Sequence, residues 1–223
     1  MKLIKATLVA AMALTVSGCA SMDVATRNAP FEAVKEQQPL SEIVAVSDVK
    51  VSVSRDLRVS EAEVFYPVAD IVWRGDERGD RYEQVGAIFN ESAKVATQDL
   101  KGDVPARIEI DVLRFHSVTD KTRYTVGGTH SISFLLSVKD PESGLDLVAP
   151  RKIKSDLHAF GGQEAIAADA RGETQKVRVS AHLASVIRQE LSTVAAPDAV
   201  VSRNRQVDTL TSAPMKSSLT RVY

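Results

Sequence analysis

Apolar and polar residues alternate in three stretches of this chain, and we interpret these stretches as half-buried β-strands. In the first of them Val49, Val51 and Val53 fall on one side, while lysine and serine residues fall on the other. A period of two with β-branched residues is typical of such strands. The three alternating stretches are residues 48–55, 106–115 and 129–139.

Other apolar runs predict shorter or interrupted extended segments. Residues 64–66 and 71–73 are short apolar runs, and the first is followed by a proline. Residues 145–158 return as a strand, which we expect to break at Pro150 because proline cannot donate a ladder hydrogen bond. The turn at residues 140–144 precedes this strand, so the sequence predicts an antiparallel hairpin.

Helical spacing of apolar residues appears in three further segments. Residues 81–100 form an amphipathic pattern of about five turns, which Asp80 is placed to cap and Gly102 to end. A short alanine-rich helix is predicted at residues 163–170, and a longer helix at 174–193.

The order of these elements predicts an α+β fold. We expect an antiparallel sheet of about four strands, with two or three helices packed on one face. Parallel winding requires a helix between successive strands, and none is predicted between residues 105 and 158.

The pattern also divides the chain into four segments. The segment before the domain is polar, and as a flexible coil of roughly 28 residues it would span about 30 Å. The last segment is polar and contains Pro197 and Pro214, so we expect it to be disordered. The segments are a signal peptide (1–18), a flexible tether (19–47), the α+β domain (48–193) and a disordered tail (194–223).

The first residues have the layout of an export signal. Lys2 and Lys5 flank an apolar run at residues 6–16. A cationic start followed by a short apolar run is typical of a secretory signal peptide. Crossing a bilayer as a helix takes about 20 apolar residues, so this run is too short to be a transmembrane helix.

The run ends in Val16-Ser17-Gly18-Cys19, which resembles the lipobox of bacterial lipoproteins. The resemblance covers about 20 residues, and Val16 departs from the leucine that is commoner at that position. It implies that the thiol of Cys19 receives a diacylglycerol, that a signal peptidase cuts before the cysteine, and that the new N-terminus is acylated. Ala20 and Ser21 follow in place of an aspartate, which implies transfer to the outer membrane, facing the periplasm.

Two alternatives to lipidation remain open at Cys19. One is an ordinary signal that is cleaved nearby and leaves a free thiol, and the other is an N-terminal helix with a buried cysteine. Cys19 is the only cysteine in the sequence, so no internal disulfide can form. A free thiol is a liability in an oxidising compartment, and this favours lipidation.

Composition excludes several classes of function. Loss of the signal peptide with its two lysines changes the formal net charge from −1 to −3, and the charges of both signs are interspersed. A nucleic-acid-binding protein would show a basic cluster, so we expect no nucleic-acid partner. Aromatic residues make up 5% of the chain, too few to predict a stacking platform for bases or sugars.

Histidines provide one candidate for metal chemistry. His116 ends a predicted strand, His130 starts the next and His158 ends the one after. In an antiparallel meander these positions could meet at one edge and bind a transition metal. The alternative is three separate histidines at strand ends, because no pattern such as HxH or HxxxH supports a site.

Two other features are candidates for partner binding. Gly127 and Gly128 stand between predicted strands, where paired glycines permit either a plain loop or the close approach of a partner. Trp73 is the only tryptophan, and it is either an exposed anchor for a partner or a buried residue at a strand end.

Known catalytic and nucleotide-binding motifs are absent from the sequence. It contains no GxSxG elbow, P-loop, HExxH or dinucleotide fingerprint, and we predict no cofactor. Arg74-Gly75-Asp76 and Arg78-Gly79-Asp80 spell an integrin-recognition tripeptide, which we interpret as a turn whose charged side chains pair locally.

A second resemblance covers residues 48–193. The runs at 70–76 and 79–81, together with Arg114-Phe115-His116 and Tyr124-Thr125-Val126-Gly127-Gly128, resemble an uncharacterised family of small α+β lipoproteins of Gram-negative envelopes. This resemblance implies a location and a fold, and it assigns no catalytic residue.

These observations leave competing hypotheses for function. The first is a non-enzymatic accessory protein, anchored in the membrane by lipid, that binds another envelope protein or a lipid-like ligand through its sheet face. The second is a metal-dependent hydrolase that uses the histidine edge. The third is metal storage or sensing without catalysis.

Overall fold

The computed structural model describes residues 38–198, 200–202 and 204–205. Its strands are β1 (Val44–Val53), β2 (Ile71–Val72), β3 (Val104–His116), β4 (Gly128–Lys139), β5 (Asp146–Lys154) and β6 (Leu157–Ala159). Its helices are α1 (Leu40–Ile43), α2 (Arg81–Thr97), α3 (Asp120–Arg123), α4 (Gly162–Ala170) and α5 (Gln175–Thr193). Residues 198, 200–202 and 204–205 are also helical.

The six strands form one mixed sheet in the order β1-β3-β4-β5, with β2 paired to β3 and β6 paired to β4. Strands β1 and β2 run parallel to β3, whereas the pairs made by β4 are antiparallel. The predicted α+β class is therefore confirmed, and the sheet is mostly antiparallel, but it has six strands where about four were expected and it includes two parallel pairs. Helix α2 lies between β1 and β3 in the chain, and such a crossover lets two strands pair in parallel.

The core lies between one face of the sheet and helices α2 and α5. The alternation in β3 places Ile108 and Ile110 in this core, which also contains Phe89 from α2 and Leu183 from α5. The preceding Arg107 is only partly buried and pairs with an aspartate of β1. The apolar face that the helical spacing predicts and the apolar face that the strand alternation predicts are thus buried in the same layer.

The ends of α2 and α5 are capped by side chains that precede them. Asp80 accepts hydrogen bonds from the backbone N–H groups of Tyr82 and Glu83, as its position predicted. Thr174 accepts one from Val177 at the start of α5. Such caps satisfy N–H groups that the first turn of a helix leaves without a partner.

The β4–β5 hairpin forms as predicted, but its second strand breaks later than Pro150. Pro150 lies within β5, an edge strand, where a missing N–H donor is tolerated. The break comes at residues 155–156. There the backbone N–H of Ser155 donates to the carbonyl of Ile132, and the carboxylate of Asp156 accepts from the N–H of Ile132.

The folded region extends beyond residues 48–193 at both ends. The N–H of Leu40 donates to the carbonyl of Val194, and Pro39 forms an isolated bridge with Ala195. Val200 is buried in the core. Cys19, the signal peptide and most of the predicted tether lie outside the described residues, as does the tail from residue 206. In the part that is described, no helix has both the length and the apolar content needed to cross a membrane.

Candidate functional site

An open groove of about 370 Å³ lies at the end of the sheet where β3 finishes. One wall is the loop at residues 63–69, which was predicted to contain an extended piece at 64–66 and instead forms no strand. Val126 and Thr129 also line the groove, together with Val118 and Gly128. We call this feature the apolar groove.

Large apolar side chains that line the apolar groove, or belong to the 63–69 loop beside it, face solvent. Val68 is 80% exposed, Val126 75%, Tyr66 67% and Phe65 52%. Single exposed apolar residues are ordinary on a protein surface, but several on two adjacent loops form a patch of the kind that marks an interaction site.

Hydroxyl groups from residues 119–122 hold the 63–69 loop in place. Thr119 Oγ1 donates to the carbonyl of Val64 at 2.9 Å, and Thr122 Oγ1 donates to the carbonyl of Phe65 at 2.8 Å. Both threonines are buried. The loop backbone is therefore satisfied from beneath, which directs its apolar side chains outward.

The end of β3 supports the same loop from a second side. Arg114 donates to the carbonyl of Ala69 at 3.2 Å and to the hydroxyl of Tyr66 at 2.9 Å. The ring of Tyr66 stacks on His116 with centroids 4.5 Å apart, and His116 Nε2 lies 2.9 Å from the carbonyl oxygen of Pro67. The exposed surface is thus organised before any partner arrives.

Glu63 connects the loop to the helix α3. Its carboxylate pairs with Arg74 and accepts hydrogen bonds from the backbone N–H groups of Asp120 and Lys121. Burial opposes ionisation of Glu63, but these donors hold its pKa below the ordinary value. Burial, together with the neighbouring Glu63, raises the pKa of Asp120.

Lys121 lies at the rim of the apolar groove. Its ammonium is 4.6 Å from the centre of the Phe65 ring, and its side chain is exposed. Within the described part of the chain, no carboxylate forms an ion pair with it. The groove therefore carries a positive charge on one edge.

Gly127 and Gly128 both belong to the apolar groove, but they act differently. Gly127 has φ of +69°, and a Cβ there would lie 2.7 Å from the carbonyl oxygen of Ala159. At Gly161, on the facing segment, a Cβ would lie 2.2 Å from the nitrogen of Gly127. Close approach of these two backbones requires glycine, whereas Gly128 leaves space beside Val118.

Trp73 is fully buried, so it is not available as a surface anchor. Its ring packs edge-on against Phe115, and its Nε1 donates to Asp76 at 2.7 Å. A Cβ at Gly75 would lie 2.2 Å from the indole, so the neighbouring glycine makes room for it. Arg74, in the same tripeptide, is almost fully buried and pairs with Glu61 and Glu63.

The three candidate histidines do not share a site. His116 contacts the 63–69 loop, His130 bonds to Ser117, and the ring of exposed His158 packs against Phe160. His116 pairs with Ser131, one residue from His130, and neighbouring residues of a strand point to opposite faces of the sheet. The described residues include no group of three or more histidine, cysteine, aspartate or glutamate side chains able to hold a metal ion.

His130 belongs instead to a buried polar layer against α5. Gln175 donates to Ser117 Oγ at 2.7 Å, and Ser117 Oγ lies 2.7 Å from His130 Nδ1. Because Gln175 uses the hydroxyl as an acceptor, we assign the Ser117 proton to the bond with Nδ1, which places the ring proton on Nε2. Burial lowers the pKa of His130 to about 3, and the nearby Arg178 acts in the same direction.

Sequence reasoning missed the residues that form most of the apolar groove. Phe65 and Tyr66 were interpreted as a short extended piece, and Lys121 was not singled out. The available signal was a run of three large apolar residues without alternation, directly before Pro67, in a chain with few aromatic residues.

Comparison with known proteins identifies the family. Residues 44–207 match the model of a family described as a family of unknown function, DUF6778. The chain belongs to the DUF6778 family. The match covers most of this DUF6778 protein, including every strand and the whole apolar groove. No curated protein matches it.

Solved structures with some likeness to this DUF6778 protein have low identity to it. A candidate lipoprotein from Caulobacter crescentus CB15 is 15% identical, with 70% of this chain and 91% of that one covered and a TM-score of 0.34. A DUF330 protein from Xanthomonas campestris is 14% identical, with 77% and 92% covered and a TM-score of 0.43. The PelC dodecamer from Paraburkholderia phytofirmans is 12% identical, with 71% and 91% covered and a TM-score of 0.29. At this level of likeness they assign no function to the chain.

Proposed function

We propose that this DUF6778 protein is a non-enzymatic accessory protein of the bacterial cell envelope that acts by binding a partner in the apolar groove. The observation that carries this proposal is the construction of the 63–69 loop. Its backbone is held by Thr119, Thr122 and Arg114, and its apolar side chains remain in solvent. Exposing such side chains on a rigid support has no benefit for folding, whereas it lowers the cost of binding.

The N-terminal sequence supports the location. Lys2, Lys5 and the run at 6–16 resemble a signal peptide, and Val16-Ser17-Gly18-Cys19 resembles a lipobox. We propose that Cys19 carries the lipid and that the protein faces the periplasm from the outer membrane. In this arrangement the membrane is reached through the anchor, and the groove is left for another component of the envelope.

A histidine-based metal enzyme has no comparable support. His116, His130 and His158 have separate partners, and the hydroxyl of Ser117, next to His116, is buried beneath the surface. First-row metals need ligands at about 2 Å, which three separated rings do not provide.

Site-specific photocrosslinking in intact cells tests the proposal. A photoreactive residue replaces Val126 or Phe65 in the groove, and in the control it replaces Leu145, which is 71% exposed in the β4–β5 turn. We expect discrete adducts from both groove positions and none from the control. Equal labelling at all three positions, or no adduct at either groove position, would contradict binding at the groove.

The anchor is tested separately by metabolic labelling. Cys19→Ser should abolish incorporation of labelled palmitate and leave the signal peptide uncleaved, because both acylation and cleavage depend on the thiol. Palmitate labelling of this variant equal to that of the unmodified sequence would contradict lipidation at Cys19.

A further inference from the structure

Three of the hydroxyl groups that line the apolar groove are already satisfied within the protein. The hydroxyl of Tyr66 accepts from Arg114, that of Thr122 donates to the carbonyl of Phe65, and that of Ser117 is shared between His130 and Gln175. At these three positions a partner segment therefore finds mainly van der Waals contact. Its own backbone groups must be satisfied internally, because buried unpaired N–H and C=O groups are costly.

Strand addition has little edge to use at this position. Strand β4 pairs with β3 only from Ser131 onward, so the groove side of β4 offers at most Gly128, Thr129 and His130. Strands in sheets are usually about five to six residues long. A helix needs no such edge, since all its backbone bonds lie within the segment.

Charge defines a second property of the occupant. Lys121 lies at the rim without an ion-pair partner among the described residues, next to the exposed ring of Phe65. An acidic side chain beside the apolar stripe of a helix would meet this ammonium as the stripe enters the groove. Complementary charges at a rim contribute to partner selection and to the rate of association.

The place of the groove in the fold favours a protein partner over the anchoring membrane. The chain enters the domain beside Val44, which pairs with Val104 at the start of β3, while the groove lies at His116, where β3 ends. The 13-residue strand β3 separates the two points by roughly 40 Å at about 3.3 Å per residue. The groove thus opens at the end of the domain remote from the root of the tether.

We infer that the occupant of the apolar groove is an amphipathic helix of another envelope protein, with acidic residues beside its apolar stripe. This inference rests on the proposed function. Apolar residues at helical spacing enter between the 63–69 loop and Val126, and a carboxylate pairs with Lys121. This is the helix-in-groove mode of peptide recognition.

The first test uses synthetic peptides and the purified full-length protein. The probe is a fluorescent peptide of about 18 residues with leucines at helical spacing and glutamates between them. One comparison peptide replaces the glutamates with lysines, and another rearranges the same residues into strict alternation. We expect the acidic helical peptide to bind at least about tenfold more tightly than either comparison, as measured by fluorescence anisotropy.

Substitutions connect the preference to Lys121. Lys121→Glu should weaken binding of the acidic peptide about tenfold, while Lys152→Glu, the same change of charge at an exposed position of β5 outside the groove, should leave its affinity unchanged. Thermal unfolding of each variant checks that the fold is intact. The inference would be overturned if the alternating peptide bound as tightly as the acidic helical peptide. It would also be overturned if Lys121→Glu did not reduce the preference for the acidic peptide over the lysine peptide.

Mapping the crosslinks separates this inference from the proposed function. Adducts from Val126 that map to a protein segment with helical apolar spacing and an adjacent acidic residue support both. Adducts that map to an extended segment, to lipid or to a second copy of this chain would agree with binding at the groove but would contradict the inference that the occupant is a helix of another protein. If neither groove position gives an adduct, the proposed function itself is wrong.

Discussion

At the scale of single residues, glycines determine the shape of the binding surface. Gly127 and Gly161 let two backbones meet closely, which holds the segment that carries Val126 against the end of β6. The sequence marked the paired glycines at 127–128 as unusual, but a pattern cannot distinguish a backbone contact from a binding position. The structure shows a packing role for Gly127 and a place in the groove for Gly128.

We predict that Gly127→Ala destabilises the protein more than Gly144→Ala. Both glycines have φ near +70°, so both variants incur the backbone strain of about 1–2 kcal/mol that an L-residue meets there. Only at Gly127 does the new Cβ also collide with the carbonyl oxygen of Ala159, since nothing lies within 4 Å at Gly144. Urea unfolding measures both changes, and equal losses of unfolding free energy would show that the close contact costs nothing.

At the scale of elements, the parallel pairing of β1 with β3 determines where the groove lies. It places the start of β1 at one end of the sheet and the 63–69 loop at the other. The alternation of residues 48–55 predicted a strand but not its neighbour or its direction. The neighbour and the direction of β1 depend on the crossover through α2, which pairs β1 with β3 in parallel only when the helix packs on the sheet.

A disulfide tests this register directly. Lys50 and Glu109 are partners in the parallel pair, and neighbouring strands lie about 4.8 Å apart, within the range that a disulfide spans. In a Cys19→Ser background, Lys50→Cys with Glu109→Cys should oxidise readily, whereas Lys50→Cys with Asp111→Cys should not. Mass spectrometry after thiol alkylation distinguishes the two. Preferential oxidation of the second pair would contradict the register.

At the scale of the whole molecule, the buried polar layer between the sheet and α5 makes stability depend on pH. His130 is fully buried, and its pKa is lowered from 6.5 to about 3. As the pH falls through about 6.5 the unfolded chain therefore takes up a proton on this side chain, whereas the folded protein takes it up only near pH 3. The contribution of His130 is fully present above pH 6.5 and is lost as the pH falls toward 3.

We predict that His130 lowers the free energy of unfolding by about 2 kcal/mol when the pH falls from about 7.5 to 5. Each pH unit below 6.5 contributes about 1.36 kcal/mol. His130→Asn should be less stable at pH 7.5 because packing is lost, yet its stability should change less over the same interval. Burial also lowers the pKa of His182, so part of the dependence should remain. Urea unfolding at the two pH values gives the comparison, and identical slopes would exclude His130 as the source.

Local pattern and tertiary structure thus account for different parts of this protein. Hydrophobic periodicity alone determined the α+β class, the helix capped by Asp80 and the β4–β5 hairpin, because each depends on residues close together in the chain. The small residues before Cys19 likewise predicted the cellular location from neighbouring positions in the chain. The direction of β1, the burial of Trp73, the separation of the histidines and the exposure of Phe65 and Tyr66 were decided only by the tertiary structure. These properties depend on contacts between residues far apart in sequence, such as Thr122 with the carbonyl of Phe65, and no local pattern encodes such a contact.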